Sequence, residues 1–145
     1  MKKPMIIALS IAGPLFCGAQ NLAASKVPAA VKAGLNKAHP GVTPAWERED
    51  ANYEANFKEG NKSVSVVIDG QGTIVETETP VALKSLPVAA QTYIQDHFNG
   101  KKLQEIAKIV KASGEVNYEV MVDHKDHLFD ANGKTIIKKE KKEKD

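Results

Sequence analysis

The sequence predicts an α+β fold of two tandem repeats, each a helix followed by a four-stranded antiparallel meander sheet. Three observations carry this expectation. Each copy opens on a proline-led amphipathic stretch, at Pro28 and Pro87. Each continues through an alternating run, YEANFK at 53–58 and YEVMVD at 118–123, and turns on Asp-x-x-Gly, at Asp69–Gly72 and Asp130–Gly133. The matching prolines, tyrosines and aspartates stand roughly 60 residues apart, and a unit that short covers only one side of its sheet, so the copies are expected to share a core or a continuous sheet.

Residues 1–19 read as a secretory signal peptide: Lys2 and Lys3, an apolar stretch from Met5 to Phe16, then the small residues Cys17, Gly18 and Ala19. Cleavage after Ala19 would leave Gln20 first, with Ala23 or Ala24 as the alternative sites. A lipid anchor on Cys17 is disfavoured because Phe16 and Pro14 stand where a lipoprotein signal places a small residue and a leucine. Cys17 is the one cysteine, so the exported chain would carry no disulfide. Removing Lys2 and Lys3 from 20 basic and 18 acidic residues leaves a neutral chain, which excludes nucleic-acid or membrane binding driven by net charge. No second apolar run approaches the length of about 20 residues that a membrane span needs.

The first repeat is assigned to 25–78 and the second to 85–138, with a linker at 79–85 and a charged tail at 139–145. Val27, Val31, Leu35 and Ala38 keep one face of a helix, as do Leu86, Ala90, Ile94 and Phe98. Proline fits the first turn of each, with Ser25 and Ser85 as candidate N-caps. Pro40–Gly41 and Asn99–Gly100 end them. The first strand of each repeat is expected at Thr43–Glu49 and within 101–111; the second of these fits a helix equally well by periodicity, and strand is chosen because its counterpart contains Pro44. Tyr53, Ala55 and Phe57, like Tyr118, Val120 and Val122, then face a core, leaving Glu54, Asn56, Lys58, Glu119, Met121 and Asp123 on a wet face. Polar turns at 59–62 and 124–126 lead to third strands ending in Ile68 and Phe129. Fourth strands are expected at Thr73–Glu78 and Thr135–Lys139.

Leu86–Pro87, YEVMV at 118–122 and FDANGK at 129–134, with their first-copy counterparts, make the chain resemble the bacterial PepSY-like domains related to the beta-lactamase-inhibitor-like fold. The resemblance spans nearly the whole exported chain. It implies a helix packed on a four-stranded sheet in each repeat, export to the cell envelope and no assigned catalytic residue. Inhibitors of that fold hold an enzyme on the sheet's concave face. Aromatic anchors of the kind that such interfaces use are missing from the wet-face residues named above, so the resemblance does not extend to inhibition of a beta-lactamase.

Enzyme chemistry finds little support. Past residue 19 there is no cysteine nucleophile and no Gly-x-Ser-x-Gly, phosphate-binding glycine loop or HExxH. His39 and His97 sit where a donor caps a helix C-terminus. Asp123, His124, Asp126 and His127 in DHKDH form the best candidate metal site, although extended chain would point the two imidazoles apart. Asp130, Asn132 and Gly133 echo a calcium loop but lack its further oxygen ligands, so turn chemistry is the reading. Trp46 and Tyr53 are expected in the core rather than on a binding platform. The lysine-rich end KKEKKEKD at 138–145 reads as a solvated terminus.

The chain is therefore expected to be an exported, non-enzymatic binding module in the periplasm or outside the cell. It would need no cofactor, and its partner would be an envelope protein or peptide. The sheet residues Glu54, Asn56, Lys58, Glu119, Met121 and Asp123 are the expected contact. A metal-responsive protein using the Asp123–His127 hairpin is the alternative.

Overall fold

A computed structural model describes residues 20–137. The signal peptide and the lysine-rich tail lie outside the described residues. The chain runs through β1 (Gln20–Leu22), α1 (Ala29–Ala38), β2 (Ala45–Glu49), β3 (Asn52–Glu59), β4 (Lys62–Ile68), β5 (Ile74–Pro80), α2 (Val88–Phe98), β6 (Leu103–Lys111), β7 (Val116–Val122), β8 (Lys125–Asp130) and β9 (Thr135–Ile136). All pairings are antiparallel between neighbours in that order.

This corrects the expected architecture. Two tandem units, each with its own four-stranded sheet, are replaced by one sheet of nine strands carrying two short helices. The join is β5 against β6, with Thr77 opposite Val110 and Thr79 opposite Lys108. Two separate sheets would each have exposed an unpaired edge there, and pairing satisfies both rows of backbone groups. Pairing also draws Thr79 and Pro80, expected in a linker, into β5. The far edge gains the unanticipated β1, which sets Leu22 opposite Trp46, and β9 stops at Ile136 rather than Lys139.

Both helices pack on one face of the sheet. Val27, Val31 and Leu35 meet Trp46, Ala55, Phe57, Val64, Val66 and Ile68 in one apolar cluster. Leu86, Ala90 and Ile94 meet Val120, Val122 and Phe129 in a second. Each fully buried aliphatic side chain contributes about 1.5–3 kcal/mol. These contacts hold helices that, at ten and eleven residues, are too short to persist alone. Trp46 and Tyr53 are buried in the first cluster. The N-caps are Pro28 and Pro87, without a side-chain cap; Ser25 and Ser85 instead lie in single 3-10 turns just upstream.

The Asp-x-x-Gly segments are turns. Asp69 Oδ1 accepts from the N–H groups of Gln71 and Thr73, both at 2.9 Å, and Asp130 Oδ1 accepts from Asn132 at 2.8 Å and Lys134 at 2.9 Å. Gly72 and Gly133 take φ of 88° and 83°. Each turn also abuts a helix: Gly72 lies against the Ala30 carbonyl, and Gly133 against the Ala90 amide.

Candidate functional site

Antiparallel register assigns every strand residue to one of two faces. The face turned away from the helices carries three adjoining rows. Glu47, Glu54, Val67, Glu76 and Lys111 are successive cross-strand partners. Asn56, Ser65, Glu78, Ile109 and Asn117 form the second row, and Pro80, Ala107, Glu119 and Leu128 the third. Glu105 lies beyond them, opposite Met121.

No helix among the described residues covers this face, yet its centre is crowded. Glu54 and Glu119 are each 1% exposed, Asn117 6% and Glu78 7%. Ala107 and Ile109 are also buried there, outside both helix-side clusters. A glutamate on a flat, open sheet would be largely solvated. Burial of this degree puts the face on the inside of the sheet's coil, where neighbouring side chains converge.

The electrostatics follow from that crowding. Burial pushes Glu78 up to about 9, helped by the like charges of Glu119, Glu105, Glu54 and Glu76. Burial also raises Glu49 to about 7, with Glu54 and Glu76 adding repulsion. Glu47 and Glu105 are raised by burial as well, the latter also by Asp126. Glu54 is raised by burial against the opposing pull of Ser65, whose hydroxyl donates to Oε1 at 2.6 Å.

Several buried polar atoms here have no hydrogen-bond partner: Glu47 Oε2, Glu54 Oε2 and Asn117 Oδ1, all acceptors, with Asn56 Nδ2 as the donor. Orphaned buried acceptors are uncommon in folded proteins and mark places where a group is expected to arrive. The face's cation, Lys111, is held by Glu115 Oε1 at 2.9 Å, which also accepts from Asn117 Nδ2 at 2.9 Å.

Of the wet-face residues expected from sequence, Glu54, Asn56, Lys58, Glu119 and Met121 lie on this face. Glu54 and Glu119 are buried, Asn56 and Met121 half-buried, and Lys58 exposed. Asp123 leaves the sheet and occupies the β7–β8 turn. Glu47, Glu49, Glu76, Glu78, Glu105 and Asn117 were missed. The signal that could have found the first four is alternation, since ERE at 47–49 and ETE at 76–78 repeat an acid at every second residue. Their convergence depends on register, which sequence alone does not supply.

The DHKDH segment is a hairpin tip. Asp123 and His124 form its two-residue turn with φ of 51° and 62°, and Lys125 and Asp126 already belong to β8. Asp123 Oδ2 accepts from Lys101 Nζ at 2.6 Å, and the His124 N–H donates to Gln104 Oε1 at 2.6 Å. His127 packs its ring 4.5 Å from that of Phe98. Among the described residues, no three metal-ligating side chains converge. His97 Nδ1 lies 2.9 Å from the Tyr93 carbonyl in the last turn of α2. The His39 N–H donates to the Leu35 carbonyl at 2.7 Å while its ring meets Glu59 Oε1 at 3.0 Å. Both imidazoles thus serve helix ends.

No protein-family model matches the chain, and no curated protein sequence does. Solved structures share its fold. A DUF2874 family protein from Bacteroides uniformis is 24% identical at a TM-score of 0.67, over 76% of this chain and 86% of that one. A presumed periplasmic protein from Bacteroides eggerthii is 20% identical with a TM-score of 0.69, over 77% and 86%. A BLIP-like protein from Bacteroides fragilis is 21% identical with a TM-score of 0.59, over 76% and 83%. The resemblance to the beta-lactamase-inhibitor-like fold therefore holds at the level of fold. Among the described residues, no helix is long and apolar enough to cross a membrane.

Proposed function

We propose that the protein is an exported, non-enzymatic module of the bacterial cell envelope that binds a protein or peptide through the uncovered face of its sheet. The observation that carries this reading is a sheet face left open by both helices and holding buried acceptors without partners. A stable scaffold that keeps unsatisfied polar groups in its interior loses stability by doing so, and the loss is recovered when a ligand supplies the missing donors. A BLIP-like protein and a presumed periplasmic protein among the structural neighbours support both the mode and the compartment. The PepSY-like element of the resemblance belongs to the same reading, since it too implies export without assigned chemistry.

Site-specific photocrosslinking in intact cells tests the proposal. A crosslinker at Ser65 or Lys58, on the open face, is expected to capture one reproducible partner. The same group at Lys37 or Asp96, on the helices, is expected to capture none. Crosslinks confined to the helix positions, or absent from all four, would remove the open face as the contact.

A further inference from the structure

The open face also specifies the chemistry of what it contacts, an inference that rests on the proposed binding role. We propose that the face takes an extended lysine- or arginine-rich segment of a partner protein, its cationic groups seated among the half-buried carboxylates of Glu47, Glu76 and Glu105 above the buried Glu54 and Glu78.

Three observations converge on a cation. The register gathers glutamates from β2, β3, β5, β6 and β7 onto one face, and like charges held together are tolerated only where counter-charge or protons offset them. The orphaned oxygens Glu47 Oε2, Glu54 Oε2 and Asn117 Oδ1 accept hydrogen bonds and cannot donate them when ionised, so they match ammonium and guanidinium donors. Lys111 is engaged by Glu115 and Lys58 is exposed near the end of β3, so the chain's own cations on this face leave its centre uncompensated. A metal ion is a poor fit, because no three ligating side chains converge among the described residues. An extended segment suits a face whose acidic positions repeat across strands, and cation–carboxylate pairs formed in a crowded site are stronger than those formed in water.

Proton release accompanies binding. The Glu78 carboxyl faces Glu54 from β3, the uncharged Ser65 from β4, Glu76 on its own strand, Glu105 from β6 and Glu119 from β7. Lys111 is the cation of the adjoining row. A partner cation reverses the repulsion that keeps a proton on this group, and the proton leaves as the pair forms.

The test uses the purified protein with a short fluorescein-labelled oligoarginine peptide, followed by anisotropy, and calorimetry in two buffers of different ionisation enthalpy. The expected result is saturable binding that weakens about tenfold or more in Glu76→Gln/Glu105→Gln and is unchanged in Asp96→Asn, a charge removed from the helix side. Near pH 8 the unmodified protein is expected to release about one proton, and Glu78→Gln, which keeps the shape of the protonated acid, to release none. Equal weakening in Asp96→Asn would mean diffuse attraction and overturn the proposal, as would the absence of binding. Binding that appears only after deletion of residues 138–145 would assign the face to the chain's own lysine-rich end and overturn it too. If the double variant does not fold, the buffer-dependent proton count of the unmodified protein against Glu78→Gln decides alone. A partner crosslinked at Ser65 together with a failed oligoarginine titration would reject the cationic chemistry and leave the contact face standing.

Discussion

Gly72 and Gly133 each satisfy two demands at one atom. Each takes a positive φ to close its turn, and each leaves no room for a Cβ because a helix backbone lies against it. Replacing Gly72 by Ala is expected to lower stability by about 2–4 kcal/mol, since backbone strain and a clash with the Ala30 carbonyl add. Gly41→Ala is the control: its φ is 80° but nothing lies within 4 Å of the added carbon, so only the conformational cost of about 1 kcal/mol is expected. Urea denaturation at constant m-value distinguishes the two. The companion change Asp69→Ala strips acceptors from two backbone N–H groups but leaves them near water, so a loss of about 1 kcal/mol is expected. The Asp-x-x-Gly spacing disclosed the turn because turn chemistry is local. The packing of that turn against a helix was hidden, because the contacting residues lie far apart in the chain.

Within the elements, the β7–β8 hairpin carries strain that its sequence announces only in part. A two-residue turn with positive φ at both positions favours Asn-Gly, and here Asp123 and His124 fill it. His124→Gly is expected to stabilise the protein by about 0.5–1 kcal/mol, because glycine adopts that conformation without penalty. The backbone N–H that bonds Gln104 is kept. A rise in Tm measured by calorimetry would confirm it; a fall would mean that the imidazole contributes more than the turn costs. The neighbouring β6 shows the limit of pattern reading. Its apolar residues fit two periods equally well, and what makes it a strand is the pair of partners, β5 and β7, that flank it.

At the scale of the whole molecule, one face is apolar and helix-covered while the other concentrates raised carboxylates, which sets the pH dependence of stability. Glu78 and Glu49, at about 9 and about 7, hold protons in the folded state that the unfolded chain gives up near the ordinary carboxylate value. Between roughly pH 4.5 and 9 the native state therefore binds more protons, and stability falls as pH rises. His127, lowered by burial, acts in the opposite sense just below its ordinary value. A thermal melt is expected to show a Tm at least ~5 °C higher at pH 5 than at pH 8. Glu78→Gln is expected to flatten most of that slope; an unchanged slope would mean that Glu78 is ionised at neutral pH. The sequence by itself determined the helices, most of the strands, the turns and the phase of the alternation, since each depends on residues only a few positions apart. It also placed Glu54 and Glu119 opposite the core. The tertiary structure decided that β5 pairs with β6, so that one sheet replaces two. Through that register it also decided that acids distant in sequence, Glu47, Glu54, Glu76, Glu78, Glu105 and Glu119, share one crowded face, because cross-strand neighbours and the burial they impose are properties of pairing and not of any local pattern.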